Sequence, residues 1–178
     1  MNTLQQRYQT EIREALKKSL GLSNMLEAPR LQKVTINARL SSKKDPKGME
    51  VLEQTLRRIS GQKPVITRAK KSIAGFKVRE NMAVGIMVTM RGKRAWDFVE
   101  KLVHVTFPRV RDFRGINPST VDSHGNLNVG FREHTAFPEI SSDEIESLHG
   151  LQITVTTTAK NQKEGMALFE ALGFPFKK

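Results

Sequence analysis

Apolar residues recur along this chain at two spacings, one typical of helices and the other typical of strands. At four-residue steps, as in Leu4, Tyr8 and Ile12, they place an apolar stripe along one side of a helix. Glycines and prolines after such runs predict where each helix ends. Four helices are predicted in this way: 3–20 before Gly21, one from Pro46 after an Asp45 cap to a stop at Gly61, one from Trp96 to a stop before Pro108, and one from an Asn161 cap to Gly173.

Alternation of apolar and polar residues predicts strands with one buried face and one polar face. In the first strand Val34, Ile36, Ala38 and Leu40 alternate with Lys33, Thr35, Asn37 and Arg39. Further strands are predicted at 64–69, 84–90 and 151–157, and a hairpin is predicted between 113–116 and 127–131 through a turn at 123–126. Polar side chains therefore line one side of several predicted strands.

Strands separated by helices predict an α+β fold. We expect a largely antiparallel sheet with helices packed on one face and the other face open. A chain of 178 residues with 38% hydrophobic content can form one compact core, so a single domain over 1–178 is expected. Residues 70–82 show no sustained period, which predicts an exposed arm with Ile73 and Phe76 near its tip.

Positive charge is concentrated in one part of the chain. Residues 57–94 contain eleven Lys or Arg against a single acid, Glu80, in a chain of net charge +12. A charge run is usually a solvated face, but such a dense run repels itself unless an anion binds. We therefore predict a polyanionic partner, and nucleic acid fits better than a membrane. Residues 112–150 are the opposite, with seven acids against two bases.

The composition excludes several classes of protein and site. The chain has no cysteine, which excludes disulfides and thiolate metal sites. No apolar run approaches the roughly 20 residues of a spanning helix, and the N-terminus lacks the apolar core of a signal peptide. We therefore expect a cytoplasmic protein without membrane contact.

Candidate catalytic and metal-binding residues form no recognisable motif. The histidines lack the spacing that places two imidazoles on one helix face, so ordinary hydrogen-bonded or solvent-facing side chains are expected. Gly92 and Lys93 resemble a phosphate loop but lack its glycine spacing and its Ser or Thr. Ser141 and Glu144 fit a helix-capping box better than a carboxylate metal site, and an acidic docking surface would fit the same residues.

Basic residues in and around the predicted strand at 64–69 cannot all face one ligand. In an extended strand Arg68 and Lys70 would point to one face. Lys63, Thr67 and Lys71 would point to the opposite face. The strand is therefore expected to end early or twist. An early end would let Lys70 and Lys71 begin the arm and reach phosphates without the constraint of strand register.

Residues 56–72, LRRISGQKPVITRAKKS, resemble the signature of a universal ribosomal family, the large-subunit proteins that bind 5S rRNA. The matching positions are Leu56, Ile59, Ser60, Gly61, Gln62, Val65, Thr67, Ala69, Lys70 and Ser72, with free positions between them. The resemblance continues through 33–40, 76–92, 107–116 and 150–161, so it covers nearly the whole chain, which has the length of the bacterial form.

This resemblance implies a structural component of the central protuberance of the large ribosomal subunit. It implies no catalytic activity, no cofactor and no metal, in a protein that is a monomer within the ribosome. The implied partners are 5S rRNA, large-subunit rRNA, the peptidyl-site tRNA and a small-subunit head protein. The open face of the sheet would then be the face that holds RNA.

The resemblance also assigns roles to residues of this chain. The 5S rRNA contacts would be Lys33, Asn37, Arg39, Gln62, Lys63, Thr67, Arg68, Thr89 and Arg91. The arm toward tRNA would use Lys70, Lys71, Ser72, Ile73, Gly75, Phe76, Lys77 and Arg79. The bridge to the head protein would use Arg111, Asp112, Glu139, Asp143, Glu144 and Glu146.

Two functions from other classes remain open at this point. A nucleic-acid enzyme would need a cluster of carboxylates or histidines in the basic region, where Glu80 is the only acid. A free basic RNA-binding regulator or RNA chaperone has the same composition as a ribosomal protein. Copurification with ribosomes in high salt would distinguish a ribosomal protein from a free RNA-binding regulator or chaperone.

Overall fold

The structure is a computed structural model that describes residues 3–39, 46–140 and 148–177. Its described residues form an α+β fold around one five-stranded antiparallel sheet, which confirms the predicted fold class. The strand order is β2-β3-β1-β5-β4, so β2 and β4 are the edges. The strands are β1 (Leu31–Arg39), β2 (Val65–Arg68), β3 (Ala83–Arg91), β4 (Leu127–Phe131) and β5 (Leu151–Thr157).

Four helices accompany the sheet in the described ranges. Two of them contain a π-helical segment, in which the backbone hydrogen bonds reach one residue further than in an α-helix. The helices are α1 (Leu4–Arg7, π-helical Tyr8–Ile12, Arg13–Leu20), α2 (Pro46–Ser60), α3 (Lys93–Lys101, π-helical Leu102–Thr106, Phe107–Arg109) and α4 (Gln162–Ala171). Short 3₁₀ turns lie at Met25–Glu27, Ala74–Phe76, Pro118–Thr120 and His134–Ala136.

The predicted helix ends are confirmed where glycine or a capping residue marked them. Gly21 and Gly61 adopt left-handed φ angles of 65° and 66°, a conformation that glycine reaches without the steric cost of a Cβ atom. At the start of α4 the Asn161 side chain accepts a hydrogen bond from the Glu164 amide at 2.9 Å. Asp45, the predicted cap of α2, lies outside the described residues.

The predicted stop before Pro108 is wrong, because α3 continues to Arg109. Proline inside an α-helix lacks a donor and its ring collides with the carbonyl of the preceding turn. Here the turn before Pro108 is π-helical, and the Phe107 amide donates to the Leu102 carbonyl, five residues back. The wider turn provides a physical route for the helix to continue through the proline.

Alternating burial along the strands follows the predicted pattern. In β1 the side chains of Val34, Ile36 and Ala38 are buried, while Thr35 and Asn37 between them are half-buried. The strand begins earlier than predicted, at Leu31, and Leu40 lies outside the described residues. β5 has the predicted bounds, and β2 is shorter than the predicted 64–69.

The predicted hairpin between 113–116 and 127–131 is wrong. Leu127 pairs with Val121, and Ile116 pairs in parallel with Phe176 near the other end of the chain. The reason is a tight turn at Asp122, whose carboxylate accepts from the amides of His124 and Asn126 at 2.9 and 2.8 Å. This turn places Val121, rather than 113–116, opposite the start of β4.

The chain divides into two compact units. The first comprises Met1–Val34, Met90–Val129 and Thr154–Lys178, and the second comprises Thr35–Thr89 and Gly130–Ile153. Strands β1, β3, β4 and β5 each contribute residues to both. In the first unit Phe107 and Phe174 form an edge contact with ring centroids 6.0 Å apart, and in the second Phe131 packs on Phe137 at 5.6 Å. A single domain over the whole chain stays a prediction.

Candidate nucleic-acid interface

Polar side chains of the second unit lie on one face of its strands. In β1 Ile36 and Ala38 are buried, whereas Asn37 is half-buried and Arg39 is exposed. Because successive side chains of a strand point to opposite faces, Asn37 and Arg39 share the face that is not buried. The predicted division into a core face and a polar face is therefore present in β1.

Strands β2 and β3 extend this polar face. Thr67 is directly opposite Gly85 in the antiparallel register, so the two residues share a face. A Cβ atom at Gly85 would lie 2.6 Å from the Ala38 carbonyl oxygen and 3.3 Å from the Thr67 hydroxyl oxygen. Glycine at this buried position therefore lets the half-buried Thr67 side chain and the β1 backbone lie close together.

A shallow groove of about 410 Å³ lies on this side of the second unit. We call it the sheet groove, and its polar lining comes from Asn37, Arg39, Thr67 and Gln152, with Gly85 beside them. Its charged group is the Arg39 guanidinium, and its amides and hydroxyl can donate or accept hydrogen bonds. These are the groups that contact phosphates, riboses and base edges in RNA complexes.

Gln152 is a groove residue that the sequence analysis did not identify. It is exposed and stands between the buried Leu151 and Ile153 of β5. The alternation that predicted this strand already placed Gln152 on the polar parity. That signal could have found it, whereas its position beside Asn37 and Arg39 depends on how the strands pair.

The glutamine of the signature is held in position by its neighbours. Its backbone amide donates to the Ser60 hydroxyl at 3.2 Å, and the Gln62 side-chain amide donates to the Thr89 carbonyl at 3.4 Å. Gln62 and Thr89, which are 27 residues apart, are thus brought together. The side chain of Lys63 beside them is exposed.

Arg68 lies where the strand gives way to the arm. β2 ends at this residue and the register shifts between Thr67 and Arg68, which confirms the early end expected from the opposed parities. One Arg68 guanidinium nitrogen donates to the Asn81 carbonyl at 3.1 Å. The side chain therefore ties the base of the arm together as well as presenting a positive charge.

The arm is a closed hairpin with its own backbone hydrogen bonds. Near its base Ala69 donates to the Met82 carbonyl and accepts from the Asn81 amide, both at 2.9 Å. Further out, Ile73 and Val78 exchange two backbone bonds of 2.9 and 3.2 Å around the 3₁₀ turn Ala74–Phe76. These bonds define the path of the arm more closely than the irregular sequence suggested.

The tip of the arm presents apolar and cationic groups to solvent. The side chain of Phe76 is 65% exposed and that of Ile73 is 49% exposed, as the sequence analysis expected. The Ser72 hydroxyl accepts from the Glu80 amide at 2.9 Å, so this residue stabilises the hairpin. The predicted cations of the arm are all exposed: Lys70, Lys71, Lys77 and Arg79.

Not every predicted RNA-binding residue belongs to the same unit. Lys33 and Arg91 belong to the first unit, and the other seven predicted residues belong to the second. Of the predicted protein bridge, Arg111 and Asp112 are exposed in the first unit and Glu139 is half-buried in the second. The other predicted bridge residues, Asp143, Glu144 and Glu146, and the predicted cap Ser141 lie outside the described residues.

Two histidines of the second unit form a contact that sequence spacing did not predict. The rings of His134 and His149 stack with centroids 3.9 Å apart and an interplanar angle of 10°, and both are buried. His104 and His124 are exposed. Burial lowers the pKa of His134, which favours its neutral form. Within 3–39, 46–140 and 148–177 no three His, Asp or Glu side chains are grouped to hold a metal ion.

Comparison with known proteins gives the family of this chain. The family profile described as ribosomal protein L5 matches residues 24–79, and the profile described as the C-terminus of the same ribosomal family matches residues 83–176. The chain belongs to the ribosomal protein L5 family. Members of this family are structural ribosomal proteins rather than enzymes.

Relatives named large ribosomal subunit protein uL5 match this L5 chain over nearly its full length. The protein of Alkalilimnicola ehrlichii is 45% identical over 100% of both chains. That of Thermus thermophilus is 49% identical over 98% of this chain and 97% of its own. The uL5c protein of Porphyra purpurea is 47% identical over the same shares. None of the helices in the described part of this L5 chain is long and apolar enough to cross a membrane.

Proposed function

We propose that this chain is a structural protein of the large ribosomal subunit that holds 5S rRNA on the polar face of its second unit. The observation that carries the proposal is the sheet groove, where Asn37, Arg39 and Thr67 lie together beside an exposed basic arm. A cation with adjacent amide and hydroxyl groups is suited to the backbone of a folded RNA. Membership of the L5 family supports the ribosomal setting, in the cytoplasm.

Charge and hydrogen bonding have separate roles in this proposal. Arg39 contributes affinity because binding a phosphate releases counterions from the RNA. Asn37 and Thr67 contribute directional hydrogen bonds, which fix the register of the RNA and can recognise 2′-hydroxyl groups. The remaining proposed 5S rRNA contacts are Gln62, Lys63, Arg68 and Thr89 of the second unit, with Lys33 and Arg91 of the first.

The arm is proposed to reach the peptidyl-site tRNA. Phe76 and Ile73 at the exposed tip can stack on or pack against bases, and Lys77 and Arg79 can contact phosphates. The backbone bonds between Ile73 and Val78 reduce the entropic cost of ordering the tip on RNA. Lys70, Lys71, Ser72 and Gly75 complete the proposed tRNA-contacting arm.

Other parts of the chain are proposed to contact large-subunit rRNA and a protein of the small-subunit head. The acid-rich stretch 112–150 is suited to a basic protein neighbour rather than to RNA, because carboxylates repel phosphate. Within it and beside it the proposed bridge uses Arg111, Asp112, Glu139, Asp143, Glu144 and Glu146. The chain would act as a monomer within the ribosome.

Two substitutions in the sheet groove separate the roles of charge and hydrogen bonding. Arg39→Gln is expected to weaken 5S rRNA binding and to lower the slope of log K against log salt by about 0.9. This is the contribution of one phosphate contact in B-DNA, applied here to duplex RNA. Asn37→Ala is expected to weaken binding by about 1 kcal/mol, roughly fivefold, with an unchanged salt slope. Gel-shift titration across a salt series measures both quantities.

The matched control is Arg132→Gln, which removes the same charge from an exposed arginine of the second unit outside the groove. It should leave 5S rRNA affinity within twofold, which is about 0.4 kcal/mol. If the Arg39 and Asn37 variants bind 5S rRNA like the unmodified protein, the groove is not the 5S site. Equal affinity of the unmodified protein for an unrelated folded RNA at every salt concentration would reduce the interaction to general basicity.

Phe76→Ala tests the arm without disturbing the fold. Because the side chain is 65% exposed, its loss should change the free energy of unfolding by no more than about 0.5 kcal/mol. One lost base-stacking contact should weaken peptidyl-site tRNA binding to reconstituted large subunits by about tenfold. Binding of 5S rRNA should not change.

Val105→Ala is the control for this experiment, since it removes another partly exposed apolar side chain, from α3. It should change neither the affinity for peptidyl-site tRNA nor the affinity for 5S rRNA. Loss of 5S rRNA binding in the Phe76 variant would instead place the tip of the arm within the 5S site.

A further inference from the structure

The first unit contains a second groove, of about 440 Å³, that the proposed function does not use. It lies among α1, the segment that leads into β1, and the start of α3, and we call it the arginine groove. Among the described residues its lining includes the arginines Arg13 and Arg30 and no acidic residue. Three glutamines, Gln5, Gln9 and Gln32, add side-chain amides. The groove therefore has the charge and the hydrogen-bonding groups to bind an anion with a polar edge.

Hydrogen bonds within the first unit hold the side chain of Arg13 and the backbone of Arg30. The Arg13 Nε group donates to the Met25 carbonyl at 3.0 Å. The backbone of Arg30 is held by Thr158, whose hydroxyl accepts from the Arg30 amide and whose amide donates to the Arg30 carbonyl, both at 3.0 Å. The bond to Arg13 lowers the conformational entropy that this side chain loses when it contacts a ligand.

The charges of the two arginines act on the same point of the groove wall. Tyr8 lines this wall, and its buried hydroxyl donates to the Pro29 carbonyl at 2.9 Å. Burial raises the pKa of Tyr8, while the positive charges of Arg13 and Arg30 both act to lower it. The two cations are therefore close enough to one hydroxyl for their fields to overlap there.

One side of the groove is apolar and aromatic. The rings of Tyr8 and Trp96 pack with centroids 5.0 Å apart, and both residues line the groove. Leu26, which also lines the groove, is 77% exposed. A large exposed apolar side chain beside two cations can support the face of a nucleobase whose phosphate is held by the cations.

We propose that the arginine groove is a second RNA-binding site, which takes one unstacked nucleotide of a single-stranded RNA segment. Its phosphate contacts Arg13 and Arg30, its base rests against Leu26, and glutamine amides contact the edge of the base. The carboxylates of an acidic peptide would satisfy the arginines but would make less use of the three amides and the apolar support. This site belongs to the first unit and does not depend on the sheet groove.

Trp96 is the single tryptophan of the chain, so its fluorescence reports on this groove. Titration of the full-length protein with a uridine decamer is expected to change that fluorescence in a saturable manner. The double substitution Arg13→Gln and Arg30→Gln should raise the dissociation constant roughly tenfold or more, since two charge-assisted contacts are lost. It should also lower the salt slope by about 0.7, the contribution of one phosphate of a single strand, because both arginines contact the same phosphate.

Arg7→Gln is the matched control, because Arg7 is an exposed arginine of α1 that does not line the groove. It should leave the decamer affinity within twofold. Leu26→Glu provides a second variant that does not threaten the core, and its added negative charge should weaken binding at least fivefold. Circular dichroism of each variant verifies that it is folded.

Three results would overturn the proposal. The first is a decamer titration that leaves Trp96 fluorescence unchanged. The second is decamer binding that neither the double arginine substitution nor Leu26→Glu weakens. The third is a saturable fluorescence change with an octaglutamate peptide that exceeds the change with RNA, which would assign the groove to an acidic protein segment.

Discussion

Gly125→Ala is expected to lower the free energy of unfolding by about 3 kcal/mol. A left-handed φ of 74° costs a residue with a Cβ atom about 1–2 kcal/mol. The new Cβ would also lie 2.5 Å from the Ala159 Cβ and 2.8 Å from the Asn161 carbonyl oxygen, and overpacking of this kind costs about 1–3 kcal/mol. Urea denaturation of the variant and the unmodified protein measures the difference.

Gly21→Ala separates the two causes. Gly21 has a similar φ of 65°, but no atom of the described residues lies within 4 Å of its Cβ position. This control should lose only the backbone contribution, about 1 kcal/mol. Equal losses at Gly21 and Gly125 would show that the close approach between the Asp122 turn and the 159–165 segment does not constrain the fold.

The close approach of Gly125 to Gly165 also decides whether Gly165→Ala stabilises or destabilises the protein. Alanine is more favourable than glycine inside a helix by about 1 kcal/mol, so helix propensity alone predicts that Gly165→Ala stabilises α4. A Cβ atom there would lie 2.5 Å from the Gly125 Cα, against backbone that has no flexible end to move aside. The clash is the larger effect.

Acid is expected to destabilise the second unit through the stacked histidines. Burial lowers the pKa of His134, with smaller opposing contributions from the His149 backbone and Glu133, so the folded state binds this proton less readily than the unfolded chain. As pH falls below the ordinary pKa of 6.5, this residue lowers the free energy of unfolding by up to about 1.4 kcal/mol per pH unit.

The measurement is the free energy of unfolding from urea denaturation at pH 7.5, 6.5, 5.5 and 5.0. His134→Gln cannot gain this charge, so its stability should fall less between pH 6.5 and 5.0 than that of the unmodified protein. His124→Gln, a substitution of an exposed histidine, should retain the full dependence. The same pH dependence in all three proteins would assign acid sensitivity to carboxylates elsewhere.

The candidate RNA site shows which part of a surface can be predicted from one strand at a time. Alternation identified Asn37 and Arg39 as polar positions, and the family signature added Thr67 and Gln62. Neither source indicated that the Gln62 side chain bonds to the Thr89 backbone. That contact joins residues from different elements, so it depends on the path of the chain between them.

The arm likewise has one feature that the sequence predicted and one that it did not. Its exposure followed from the mixture of glycine, cations and isolated apolar residues in 70–82. Its hairpin form did not, because the pairing of Ile73 with Val78 has no period in the sequence. Backbone hydrogen bonds within an irregular segment leave little trace in side-chain patterning, since any residue except proline can make them.

By itself the sequence determined the helices, most of the strands, the polar parity of β1 and the family of the protein, because each depends on local spacing or a contiguous signature. Only the tertiary structure decided which residues of different elements meet. The pairing of Val121 with Leu127, the stacking of His134 on His149 and the contact of Gly125 with Gly165 are of this kind. They arise from strand register and turn geometry, where a shift of one residue reverses the face of every side chain.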